Sequence, residues 1–293
     1  MRRRASLRRF VTALLLLVGL TACGSHQADR PDTRAGLTVG ATADPQSMVL
    51  ANLYAAALRS FGSAAQVDVV ADPLAALDSG QLDVAPGFTG RLLQTFAPGT
   101  ATGFGDEQTY KTLLGTLPEG ITAGDYTTAA EDKPTVAVTA ATAGAWGGRD
   151  LTGLVAHCAQ VRPGTVRGAA VPARVGTCTL PAPAEFEDSA ALFAALAANR
   201  INAAWTTTAD PAMPEDPDRV VVLVDRKPML IRAENAVPLY RRNELDPQQV
   251  LALNQIAGAL DTAALERMRR QVADGADPRV LADQWLADNP LGR

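Results

Sequence analysis

Ala75-Ala76-Leu77-Asp78-Ser79-Gly80-Gln81-Leu82-Asp83-Val84 runs straight into Ala85-Pro86-Gly87-Phe88-Thr89-Gly90. Pro73 opens a short helix that reaches Ser79 and Gly80 ends it. Leu82 to Ala85 reads as a strand, and a glycine-containing turn leads into a helix over about Thr89 to Phe96. Upstream, Leu37-Thr38-Val39-Gly40 is a short strand. From Asp44-Pro45 onward, Leu50, Leu53, Tyr54, Ala57, Leu58 and Phe61 recur at helical spacing, and Gln66 to Ala71 reads as a second strand. Strands alternating with helices of this length predict a mostly parallel sheet covered by helices.

Downstream the alternation starts again. Pro134 to Val138 is a strand, Leu151 to His157 a helix, Val166 to Val171 a strand, Asp188 to Asn199 a helix, and Ile201 to Thr206 and Val220 to Val224 are strands. After Asn235 to Tyr240 the pattern turns helical. Asp246-Pro247 and Asp277-Pro278 each supply an N-cap with proline at the first helical position, and Gly275 stops the middle helix. Apolar faces at Val250, Leu253, Ile256 and Leu260, then Leu265, Met268 and Val272, then Leu281 and Trp285, need a partner surface. If they pack on the first lobe, that lobe comprises residues 37–133 plus 231–293, and residues 134–230 form an inserted second lobe.

The start of the chain speaks of location. Arg2, Arg3, Arg4, Arg8 and Arg9 precede an apolar run from Val11 to Leu20, and Leu20-Thr21-Ala22-Cys23 closes it. A membrane span needs about 20 apolar residues, so this run reads as a secretory signal over residues 1–22. Leu-x-Ala-Cys resembles the bacterial lipobox, which makes Cys23 the lipidated N-terminus of the mature chain. Residues 23–36, polar and without a periodic apolar face, then form a tether, and the protein sits on the outer face of the cell membrane. Without residues 1–22 the chain has 22 basic against 31 acidic residues, a formal charge of −9, which argues against nucleic acid as a partner. In an exported protein the remaining pair, Cys158 and Cys178, reads as a disulfide. No Cys or His clusters around them at ligand spacing, so no metal is expected.

Catalytic motifs are missing. There is no Gly-x-Ser-x-Gly, Ser-x-x-Lys or His-Glu-x-x-His, and neither Gly-x-x-x-x-Gly-Lys nor Gly-x-Gly-x-x-Gly. The two histidines, His26 and His157, stand apart from any partner; a secreted enzyme would have to work through Asp and Glu alone, and no carboxylates are paired in the sequence. The expectation is binding without catalysis and without a cofactor.

Three stretches carry a family resemblance: Leu37-Thr38-Val39-Gly40 with Asn52-Leu53-Tyr54-Ala55; Ala75 to Val84 with Pro86-Gly87-Phe88-Thr89-Gly90; and Leu192-Phe193-Ala194-Ala195-Leu196 before Ile201 to Asp210. With Val220 to Asp225, Asn235 to Tyr240 and Ala282-Asp283-Gln284-Trp285-Leu286, they resemble the substrate-binding proteins of osmoprotectant ABC importers, the glycine betaine, choline and carnitine binders of the OpuAC or ProX type. The resemblance implies a type II periplasmic-binding-protein fold: two α/β lobes joined by two hinge strands, with the helical C-terminal segment packed on lobe 1. It also implies a small-molecule solute in the cleft, delivered to ABC permease and ATPase subunits. The alternative is a lipoprotein of the same fold serving a different small molecule or a sensor.

Family members hold a quaternary ammonium in a cage of aromatic faces, and here the correspondence is partial. Phe88 stands where the family's Glu-Tyr-Thr-Gly motif has tyrosine, Gly87 replaces the glutamate, and Arg91 replaces the residue after the glycine. Two further cage tyrosines fall near Pro134 and Thr207, while Trp205 shares a strand face with Thr207 and offers a replacement wall. Phe88 and Trp205 are each read as cleft-lining or core. Thr89 and Gly90 start a helix whose N–H groups suit a ligand carboxylate or simply cap themselves. Asp44, with Gln46, reaches for the cleft from the first loop or serves as an N-cap. Asp132 and Asp210 border the cleft or are solvated loop carboxylates. Arg91 pairs with an anionic ligand or is an exposed helix arginine.

Overall fold

The structure is a computed structural model that describes residues 36–100, 105–214, 216 and 219–292. The signal segment, Cys23 and nearly all of the expected tether lie outside the described residues. The first lobe opens with β1 (Leu37–Ala41), α1 (Pro45–Ser60), β2 (Ala65–Val69), α2 (Pro73–Asp78), β3 (Val84–Phe88), α3 (Thr89–Phe96), α4 (Asp106–Leu114) and β4 (Ile121–Ala123). The second holds β5 (Pro134–Thr139), α5 (Ala140–Ala145), α6 (Leu151–Ala156), β6 (Pro163–Val166), a two-strand hairpin of β7 (Arg174–Val175) and β8 (Cys178–Thr179), β9 (Ala184–Phe186), α7 (Ser189–Ala197), β10 (Ala203–Thr207) and β11 (Val220–Val222). The chain ends with β12 (Ala236–Arg241), α8 (Pro247–Ala259), α9 (Thr262–Ala273) and α10 (Pro278–Asp288).

The first sheet has the order β2-β1-β3-β12-β4 and the second β11-β5-β10-β6-β9. Both are mixed, which corrects the expectation of a mostly parallel sheet. β1 runs parallel to β2 and β3, but β12 re-enters the first sheet antiparallel to β3 and β4. In the second sheet β10 is antiparallel to β5 and parallel to β6. The cause is connectivity: a strand returning from the other lobe has no crossover helix to turn it parallel.

Local chemistry sets the elements. The Asp44 side chain accepts the Ser47 N–H at 2.9 Å, and Pro45 follows it at the start of α1. Val49 to Leu58 are then buried without a break, as befits a helix enclosed on every side. It lies between the first sheet and α8, α9 and α10, so the C-terminal helices pack on lobe 1 as the fold class requires. Gly80 takes φ +77° just beyond α2, a left-handed conformation that costs glycine little. Asp83 accepts the Thr38 N–H at 2.7 Å and its hydroxyl at 2.9 Å, tying the entry of β3 to β1. In the second lobe, successive β5 residues serve opposite faces: Val136 and Val138 pack with Trp146, Leu151, Leu154 and Trp205, while Ala137 packs with Leu192, Leu196 and Ala204. Cys158 and Cys178 are joined by a disulfide with Cα atoms 5.5 Å apart.

Some strand boundaries move. The strand expected over Val166 to Val171 occupies Pro163–Val166 instead, and α4, β4 and α5 are additions that the sequence pattern did not announce. Two segments pass between the lobes, 124–133 outward and 223–235 back. They pair with each other: the Asp132 N–H donates to the Glu234 carbonyl at 2.9 Å, and Glu131 bridges Asn235 antiparallel. Among the described residues no helix is long and apolar enough to cross a membrane.

Candidate functional site

Asp132 sits on the outward crossing with a 1% exposed side chain, and groups from both lobes converge on it. Arg91 of α3 reaches it at 2.6 Å, Arg269 of α9 at 2.8 Å, and the Gln46 amide of α1 at 2.5 Å. Thr207 of β10 faces it from the second lobe and favours its charged form. Burial opposes ionisation of this carboxyl, but Arg269, Arg91, Thr207 and Gln46 outweigh it and hold it below the usual carboxylate range. Arg269 also donates to the Ala209 carbonyl at 2.5 Å, so one guanidinium of lobe 1 grips both the crossing and lobe 2. A second buried pair, Lys133 with Asp225 at 3.2 Å, joins the outgoing crossing to the returning one.

Beside this hub lies a cavity of about 580 Å³, within the usual range for a small-molecule site. Gly90, Arg91 and Gln94 of α3 and Arg269 of α9 form the lobe 1 wall. Trp205, Thr206, Thr207 and Asp210 face it from lobe 2, and Arg232 and Glu234 close the floor from the returning crossing. Further lobe 2 wall comes from Thr165, Ser189 and the stretch from Ala169 to Arg174. Among the described lining residues Trp205 is the one aromatic side chain, and arginines number four against two acids.

Glu234 is held unusually. Its Oε2 accepts the Arg91 backbone N–H at 2.9 Å, while burial, opposed in part by Arg91, pushes the carboxyl up to about 7. A Cβ on residue 90 would lie 2.6 Å from the Ala233 carbonyl oxygen and 2.7 Å from Glu234 Oε1. Only glycine lets the start of α3 approach the returning crossing this closely.

The structure brings Gly90, Trp205, Thr207 and Asp210 together as cleft lining, Trp205 being also a core residue, 3% exposed and packed with Val136 and Val138, and places Asp132 just behind them. Asp210 accepts the Thr206 hydroxyl at 2.6 Å and the Ala212 N–H at 2.9 Å. Phe88 is 4% exposed within the lobe 1 core and lies outside the lining, its ring 4.8 Å from the Arg91 guanidinium carbon. Thr89 is fully buried, and its hydroxyl accepts the Asn235 N–H at 3.1 Å. The Thr89 N–H goes to the Asn235 carbonyl and the Arg91 N–H to Glu234, so these two donors of α3 are already engaged. Asp44 caps α1 and is not part of the lining. His157 stacks on Trp146 with ring centroids 6.0 Å apart, within lobe 2. Sequence reasoning missed Arg232, Glu234 and Arg269. Each looks like an ordinary charged residue until the lobes are assembled, and a charged pair inside the return to a buried strand, Arg232-Ala233-Glu234, was the available signal. Among the described residues no three His, Cys, Asp or Glu side chains gather as a metal site would require.

The family model OpuAC, the substrate binding domain of ABC-type glycine betaine transport systems, matches residues 35–177 and 179–288. Solved structures share the architecture. Apo YehZ from Escherichia coli is similar over 87% of this chain and 99% of its own, with 20% identity and a TM-score of 0.66. A glycine betaine/carnitine/choline ABC transporter structure is similar over 86% of this chain and 98% of its own, with 15% identity and a TM-score of 0.68. Lactococcal OpuAC, closed around glycine betaine, matches over 86% and 95%, with 11% identity and a TM-score of 0.50. Comparison with curated proteins gave no match.

Proposed function

Because this chain belongs to the OpuAC family of substrate-binding domains of ABC-type glycine betaine transport systems, we propose that it captures a small solute in the cleft between its lobes and delivers it to an ABC permease. The observation that carries this reading is the cavity of about 580 Å³ bounded by both lobes and floored by the returning crossing. A solute touching both walls stabilises the closed arrangement, and the closed arrangement is what a permease can distinguish from the empty protein. The protein binds and releases; hydrolysis belongs to the ATPase subunits. Cys23 carries the lipid that holds it at the outer face of the membrane, with the following residues as tether. Gly90, with Asp132 behind it, shapes the site from lobe 1 and the crossing, and Trp205, Thr207 and Asp210 from lobe 2.

Family membership makes glycine betaine, choline and carnitine the first solutes to test. A second reading, a different small molecule, draws on the single aromatic among the described lining residues, since a cation that cannot donate hydrogen bonds is held by several ring faces. Thermal unfolding with a solute panel tests the capture itself. A solute at 100 times its Kd stabilises by about 2.7 kcal/mol, which raises Tm by a few degrees. A protein whose Tm no solute moves is not a solute carrier.

A further inference from the structure

Arg232 is 9% exposed, lines the cleft, and has only neutral partners: the Gly90 carbonyl at 3.4 Å, the Gln94 amide oxygen at 3.2 Å and the Thr100 carbonyl at 2.7 Å. Its Nε is buried without a partner, and among the described residues no carboxylate lies within ion-pair distance of it, Glu234 acting on it only from farther off. Two other arginines of the wall, the exposed Arg91 and the half-buried Arg269, differ from Arg232 in having a carboxylate partner. Arg91 and Arg269 share Asp132, and Arg269 retains an unpartnered Nε. Asp210 is turned toward Thr206 and the Ala212 N–H, and Glu234 toward the Arg91 N–H. Burying a guanidinium without a counter-ion is unfavourable unless something else supplies the negative charge. A guanidinium offers five N–H donors in a planar fork, which matches a carboxylate better than any neutral acceptor.

Resting on the reading of this cleft as the solute site, we propose that its solute is a small organic anion whose carboxylate docks on Arg232. With Arg91 and Arg269 sharing Asp132, Arg232 is the buried wall guanidinium left without an ion pair to take that charge. Among the described lining residues Trp205 is the single aromatic ring, which disfavours a quaternary ammonium, and the Ser189 hydroxyl suits the polar body of a short carboxylic acid. Glu234 adds to the preference, because a carboxyl ionising only near 7 withholds its negative charge from the cleft in mildly acidic surroundings.

The test is calorimetric titration and thermal unfolding of the purified protein with acetate, lactate, succinate and glutarate, against choline, glycine betaine and carnitine at matched ionic strength. Succinamide serves as the uncharged analogue of succinate. At least one carboxylate should bind, choline should not, and if succinate binds, succinamide should bind at least tenfold more weakly. Arg232→Lys keeps the charge but loses the fork, and should weaken carboxylate binding by tenfold or more while leaving Tm of the empty protein near its original value. Arg232→Gln should abolish that binding. Carboxylate affinity unchanged in both variants overturns the proposal, as does silence of all four carboxylates. Binding of choline or glycine betaine while the carboxylates are silent overturns the anion assignment and leaves solute capture standing; silence of all seven solutes counts against both.

Discussion

Replacing Glu234 by Gln removes one ionisation from the floor of the cleft while keeping the shape and the acceptor for the Arg91 N–H. The carboxyl ionises near 4.5 in an unfolded chain and near 7 in the folded protein, chiefly because burial disfavours its charge, with Arg91 and Arg232 opposing and Asp132 assisting. Between those two values the folded state holds the proton more tightly than the unfolded one. The protonated carboxyl therefore contributes its full stabilisation below pH 4.5, and that contribution fades as pH rises through 7. The span from 4.5 to about 7 corresponds to roughly 3 kcal/mol. Urea unfolding of the wild type and Glu234→Gln at pH 5, 6, 7 and 8 measures it: the wild type should lose about 2–3 kcal/mol relative to the variant over this range. Glu131, raised by burial, and Asp132, lowered by its arginines, titrate in both proteins and drop out of the difference. Parallel stability profiles for the two proteins would mean that Glu234 ionises alike in the folded and unfolded chain.

Three further substitutions test the packing. Tyr54 is fully buried on α1 and its hydroxyl has no partner, so Tyr54→Phe should be neutral or stabilise by up to about 1 kcal/mol in urea unfolding; a loss above that would reveal a hidden partner. Gly90→Ala forces a Cβ to within 2.6 Å of the Ala233 carbonyl oxygen, and should cost about 1–3 kcal/mol and weaken solute binding together; a variant with wild-type Tm would show that the crossing yields freely. Replacing Cys158 and Cys178 by Ser opens the loop their disulfide closes, 20 residues apart in sequence, and should cost about 3 kcal/mol. A loss below 1 kcal/mol would mean that the loop is constrained by its packing alone.

Much of the fold was legible because the signals were local. Asp44-Pro45, Asp246-Pro247 and Asp277-Pro278 each announce a helix start, and Asp, Pro and the helix appear together at all three places. The mixed sheets were less legible: strand direction depends on which segment returns from the other lobe, and β12 looks the same in sequence whether it pairs parallel or antiparallel. The site was half legible. Gly90 follows from the motif, whereas Trp205 and Thr207 line the cavity together with Thr206 of the opposite face, so the end of β10 rather than strand alternation places them. Arg232, Glu234 and Arg269 follow from neither, because their meaning arises only when α9 and the returning crossing are set beside α3, more than 130 residues away. Phe88 shows the reverse case, a ring at the motif position that packs in the core with Arg91 above it.

A solute that belongs to this cleft bridges its two walls. Amide hydrogen exchange of the purified protein, with and without each saturating solute of the combined quaternary ammonium and carboxylate panel, tests it most directly. At least one solute should slow exchange at residues 90–94, 205–210 and 230–235 together, because those segments form both walls and the floor. Protection confined to one lobe, or to the distant surface groove around Phe61 and Gln248, would contradict it.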